Sequence, residues 1–187
     1  MLFRSPINLG RAAKRTLSKF TFDFIVNNAA IYDALAWFHA SHGNLGTGAN
    51  IETASISAAR IALRNMKGLD GTTPINAVPR FLLVGPEHET FADLALSNIY
   101  AATVADANPF TGRLTSLVEP RITGRRWYIF ADPAALPVLE YAYLSSAQGP
   151  QMASREGWDV LGMEFRVVLD FGAGATDFRG AFFNPGL

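Results

Sequence analysis

Three histidines, His39, His42 and His88, have side chains suited to metal or acid–base chemistry. His39 and His42 stand three apart, which would put two imidazoles on one metal ion if the segment were helical, and Glu87 and Glu89 flank His88 as further donors. A small metal-dependent hydrolase is the enzyme such a set would make. Against it, His42-Gly43-Asn44 breaks a helix and no third ligand sits at a recognised spacing, so loop histidines that hydrogen-bond locally are the competing reading. Nucleophilic hydrolysis has no visible centre, because the chain has no cysteine and no Gly-x-Ser-x-Gly elbow. Gly172-Ala173-Gly174 lacks the lysine and the following Ser or Thr of a phosphate loop, and reads as a hairpin turn.

Binding chemistry has two further sources. Arg11, Lys14, Arg15 and Lys19 give the first amphipathic stretch a basic front, which suits a DNA-binding module or simply a solvated helix face. The 14 phenylalanines are many for a small domain; Phe178, Phe182 and Phe183 near the end either pack internally or cover a neighbouring molecule. Asp170, Asp177 and Arg179 offer charge-assisted pairs that would lock the terminal hairpin, or else an ordinary surface ion pair.

These residues need a scaffold, and the composition provides one. With 187 residues, 49% of them hydrophobic, the chain can bury a real core as one domain or two subdomains. Sixteen basic residues offset sixteen acidic ones, so no global field draws the protein to nucleic acid or an anionic membrane. Without cysteine there are no disulfides and no thiolate metal sites. No apolar run approaches the roughly 20 residues that span a bilayer, and the N-terminus lacks a signal-peptide core, so the sequence reads as soluble and cytoplasmic when made.

The periodicity predicts an amphipathic helix from about Leu9 to Asn27 and a glycine-rich, flexible loop from His42 to Gly48. A second helix, capped by Thr53 or Ser55 and stopped by Gly68, should be a long strut spanning about 53–67. Arg80–Gly85 reads as a buried strand, followed by a short helix from Pro86 to about Ser97. Beyond an Asn108-Pro109-Phe110-Thr111-Gly112 turn come strands at Leu114–Glu119, Arg126–Phe130, Leu136–Leu144, Val160–Phe171 and Phe178–Phe183. Several strands after two or three helices indicate an α+β fold.

A family resemblance rests on blocks in order along nearly the whole chain. They are Leu9-Gly10-Arg11-Ala12-Ala13; Phe38 with His42-Gly43-Asn44-Leu45; Ser55 to Arg60 with Lys67-Gly68-Leu69-Asp70-Gly71; Pro79 to Val84; Ala107 to Gly112; Trp127-Tyr128 with Ala131-Asp132-Pro133; Glu140 to Leu144 with Gly149-Pro150; and the tail from Trp158 to Gly186. Together they resemble the C-terminal portion of tailed-bacteriophage major capsid proteins, in the group of Mu-like major head subunits and prohead protease–major capsid fusions.

The resemblance implies a Hong Kong 97-type capsid fold: a peripheral domain, 1–73 with 154–187, carrying the spine helix at about 53–67, and an axial domain, 74–153. It implies a structural shell protein, not an enzyme and without cofactors, that self-assembles into hexamers and pentamers of an icosahedral shell enclosing DNA. Implied partners are further copies of itself, a maturation protease, portal and scaffolding proteins, and packaged DNA by non-specific contact only, with no membrane. Its place is the virion capsid, after synthesis in the bacterial host cytoplasm. Gly43, Gly46, Gly48, Gly68 and Gly71 are candidate hinges between five-fold and six-fold environments. Asp170, Asp177, Phe178, Arg179, Phe182 and Phe183 are candidate interface or hairpin-locking residues. Such proteins usually carry an N-terminal arm and an extended loop before the spine helix. This chain begins too late to hold both in full, as a fragment, a prophage remnant or a short form would.

Overall fold

The structure, a computed structural model, describes residues 5–97, 112–157 and 161–187. The expected Asn108–Thr111 turn and Trp158–Val160 of the tail lie outside them. The fold is α+β, and the chain forms two compact units: Met1–Asn27 with Leu139–Gly174, and Asn28–Val138 with Ala175–Leu187. The expected peripheral and axial divisions fall at other points, after residue 73 and after residue 153, each inside one of these units.

The second unit is built on a four-stranded sheet in the order β2-β1-β3-β8, made of β1 (Pro79–Val84), β2 (Thr115–Val118), β3 (Trp127–Ala131) and β8 (Ala181–Asn184). β1 runs parallel to β2, from Phe81 opposite Thr115 to Val84 opposite Val118, and such a pair needs a crossover. The crossover includes a 3-10 turn at Pro86–His88 and α3 (Glu89–Leu96). β3 pairs antiparallel with both β1 and β8. Because side chains alternate across a strand, Leu82, Val84, Trp127, Ile129 and Phe182 share one core with Ile56, Ala59 and Leu63 of α2 (Thr53–Arg64) and Ala92 of α3. Tyr128 and Phe183 instead join Trp37 and Phe38 in a chain of aromatic contacts, with ring centroids 4.8 to 5.4 Å apart.

The first unit is thinner. α1 (Ser5–Val26) packs along β6 (Met163–Val168), buries Ala13 and Ile25, and sets Phe20 edge-on to Phe24 and Phe171 at 5.6 and 5.4 Å. β5 (Gln151–Glu156) and β6 form an antiparallel ribbon, Gln151 opposite Val168 through Glu156 opposite Met163. β4 (Leu139–Tyr143) pairs with β7 (Phe171–Ala175).

Several expectations need correction. α2 has 12 residues and ends at Arg64. It stops short of 67 because Met66 accepts a hydrogen bond from Ile75 N–H at 2.9 Å and Lys67 bridges Pro74, so the chain leaves the helix to pair with itself. The N-cap is Glu52; Ser55 stands at the third helical position, its Oγ accepting from Glu52 N–H at 3.0 Å and donating to Asn50 O at 2.6 Å. The single strand expected at Val160–Phe171 is interrupted at Leu169 and Asp170, and Gly172-Ala173-Gly174 lies within β7 instead of forming the turn. Phe178–Gly180 is a turn, and β8 begins only at Ala181. Pro137 stands outside β4, which starts at Leu139.

Candidate functional site

The histidines are held in separate, local arrangements. His42 is buried, with Nδ1 3.0 Å from Trp37 O and Nε2 2.7 Å from Asp33 Oδ2, and its ring stacks on Phe178 at 4.1 Å between centroids. Burial pushes the Asp33 carboxyl up, but the His42 hydrogen bond, the Leu35 N–H and the His42 charge together hold it below its ordinary value. His39 Nδ1 accepts from Ser41 N–H at 3.2 Å, capping the turn Ala40–His42. His88 is buried beside Phe91, and its Nδ1 has no partner among the described residues. Among the described residues no group of three or more His, Asp or Glu is placed to hold a metal ion.

The terminal strand is tied to the glycine segment that the sequence suggested to be flexible. Phe183 N–H donates to Asn44 O at 2.8 Å, Gly46 N–H donates to Phe183 O at 2.7 Å, and Ala49 N–H donates to Asn184 Oδ1 at 2.8 Å. Asn44, fully buried, donates Nδ2 to Trp37 O at 2.8 Å and accepts from His39 N–H at 3.0 Å. Each of these amides pairs with backbone groups of this segment. Gly46 is required by close approach, since a Cβ there would stand 2.7 Å from the Asn184 amide. Of the other candidate hinges, Gly43 (φ +67°), Gly48 (φ +90°) and Gly71 (φ +67°) occupy left-handed backbone, and Gly68 packs beside Asp70.

The candidate locking residues separate into two places. Asp177 accepts from Arg179 N–H at 2.9 Å and pairs with its guanidinium at 3.6 Å, while that guanidinium lies over the Phe178 ring at 5.1 Å. Trp37 Nε1 donates to Asp177 O at 2.9 Å, so this corner is anchored by an indole 140 residues away in sequence. Phe182 is in the core and Phe183 stacks on Tyr128. Asp170 is exposed in the turn between β6 and β7, and has no ion pair among the described residues. Sequence reasoning missed Asn44 and Asn184; the only signal was an amide next to glycine at Asn44 and next to proline at Asn184.

The ribbon β5–β6 is open to solvent along nearly its whole length. Met152, Met163, Phe165 and Val168 are each between 41% and 53% exposed on it. A two-stranded ribbon alone is marginal in water, and this one is backed by α1 along β6 while it leaves these apolar side chains in solvent.

The family model described as phage capsid protein matches residues 2–184. The chain belongs to the phage capsid protein family. Solved structures similar to it include a chain from Mycobacterium phage Che8, with a TM-score of 0.57 and 14% identity over 98% of this chain. The fold is therefore shared with that chain, of which the present one spans 63%. Another is a chain of the satellite phage P4 procapsid including size determination (Sid) protein, with a TM-score of 0.37 and 14% identity over 71% of this chain and 37% of that one. Among curated proteins none matches the sequence. Among the described residues no helix is long and apolar enough to cross a membrane.

Proposed function

We propose that this chain is the shell-forming major capsid subunit of a tailed phage or prophage, of the Hong Kong 97 type and close to the Mu-like group. In this reading it self-assembles into hexamers and pentamers of an icosahedral shell that encloses DNA. The observation that carries it is the family match over residues 2–184. The exposed ribbon supports it, because a subunit that must grip identical neighbours needs apolar surface that its own core does not use. The near-neutral composition supports it too, since copies can approach without a large mutual repulsion.

In the same reading residues 1–73 and 154–187 have the peripheral-type role and 74–153 the axial-type role, with β3 and β8 joining the two across one sheet. Gly43, Gly46, Gly48, Gly68 and Gly71 absorb the small differences between five-fold and six-fold positions. The Asp177–Arg179 corner keeps the terminal strand in place. Maturation protease, portal and scaffolding proteins are the partners such a shell would meet, and host-cell cytoplasm the place of synthesis.

The experiment is light scattering with negative-stain microscopy over a concentration series, on the native chain and on Phe165→Ser with Met163→Ser. Rings, sheets or shells from the native chain and smaller species from the ribbon variant, with unchanged melting, are expected. A native chain that stays monomeric throughout would overturn the reading.

A further inference from the structure

The second unit carries two surfaces of opposite character. One is a cavity of about 430 Å³ beside α2, the start of β1 and the residues that lead into β2. Its floor is apolar, with Ile56, Leu114 and Ile129, and its rim holds Arg60, Arg64, Arg80 and Arg113 against the single carboxylate of Asp132. Among the described residues that line it, guanidinium groups outnumber carboxylates. Arg64 donates to the neutral amide of Asn76 at 2.5 Å, and Asp132 already accepts from Ala134 N–H at 3.0 Å. Arg80 and Arg113 have no carboxylate partner among the described residues.

The other surface is α3 with the turn that opens it. Pro86–Leu96 contains Glu87, Glu89 and Asp93 and no Lys or Arg, a net charge of −3 with His88 neutral. None of the three carboxylates has an ion pair among the described residues. Ala92 faces the core, whereas Phe91 and Leu94, three apart and so on one side, are 56% and 59% exposed. A short helix that shows water an aromatic, a leucine and three carboxylates with no ion pair among the described residues matches the cavity both in charge and in its apolar centre.

We propose that α3 of one copy docks into the arginine-rimmed cavity of the next. Resting on the shell reading, this assigns the contact its two faces: the helix anchors Phe91 and Leu94 over the apolar floor while Glu87, Glu89 and Asp93 meet the guanidinium rim. Neither face is self-complementary, because two cavities or two helices brought together would oppose like charges. The contact is therefore heterologous and head-to-tail, the kind that repeats around a ring. A nucleic-acid backbone would satisfy the rim but leave the apolar floor and the exposed Phe91 and Leu94 without a role.

The test uses two charge-reversed chains, Arg80→Glu with Arg113→Glu, and Glu89→Arg with Asp93→Arg, all at exposed positions. Each alone should raise the concentration needed for assembly by about 100-fold or more. An equimolar mixture should restore assembly, since every basic cavity then finds an acidic helix and every acidic cavity a basic one. Restoration also proves that both variants are folded. Variants that each assemble like the native chain would overturn the docking proposal and leave the shell reading standing. Loss of binding to a DNA oligonucleotide in the first variant, with assembly untouched, would overturn it in favour of a nucleic-acid site. A native chain that never assembles would overturn both.

Discussion

Two antiparallel strand pairs in this chain have nearly opposite surroundings. β3 and β8 lie in a four-stranded sheet with almost every side chain buried or half-buried, whereas β5 and β6 make a separate ribbon with almost every side chain exposed. The backbone pairing is of the same kind in both, so hydrogen bonding does not distinguish them. The difference lies in apolar cover: Trp127, Ile129 and Phe182 sit in the main core, while Met163, Phe165 and Val168 remain half in water. Strand pairing becomes rigid when apolar surface is removed from water on at least one face, and stays available for partners when it is not.

Truncating matched positions in the two strand pairs should have very unequal effects. Trp127→Ala should cost about 3–5 kcal/mol, through a cavity in the core and the lost indole bond to Ala49 O at 2.8 Å. Met163→Ala on the ribbon should stay within about 0.5 kcal/mol in the unassembled chain. Urea denaturation followed by tryptophan fluorescence measures both, and equal losses would mean that the ribbon is as well supported as the sheet.

Asn44→Ala sharpens the contrast at the next level. It removes the acceptor of His39 N–H and a donor to Trp37 O inside a fully buried site, and should cost about 1–3 kcal/mol. The expected companion is faster amide exchange at Gly46 and Phe183, which bond along the same seam. Unchanged exchange there would separate Asn44 from the locking of β8.

The smallest effect belongs to the exposed turn at 68–73. Asp70 accepts from the Thr73 hydroxyl and N–H and from the Thr72 N–H and hydroxyl, and these bonds hold its carboxyl well below the usual carboxylate range. A carboxyl depressed by folding stabilises the turn above its unfolded pKa of about 4 and loses that contribution as pH falls toward the folded value. Amide exchange at Thr72 and Thr73 should therefore be protected at pH 6 and lose protection below about pH 3, and Asp70→Asn should remove this pH dependence. The ribbon ion pair of Arg155 and Glu164, at 2.6 Å but largely exposed, serves as a control of little consequence to stability.

Elements whose reasons are local were legible in the chain. α1 follows from its amphipathic period, α3 from Pro86 and the acids at its start, and β1 and β3 from short continuous apolar runs. β5 escaped that reading because Gln-Met-Ala-Ser-Arg-Glu has no alternating apolar pattern, and it is a strand only because β6 pairs with it. The end of α2 is equally non-local, fixed by residues 74 and 75 pairing with 66 and 67 and not by Gly68. Which phenylalanines are buried, which asparagines hold β8, and which arginines gather around one cavity were all decided by tertiary structure. A side chain's period along the chain fixes the face it occupies, but only the elements that fold against that face decide whether it meets a core, a partner or water.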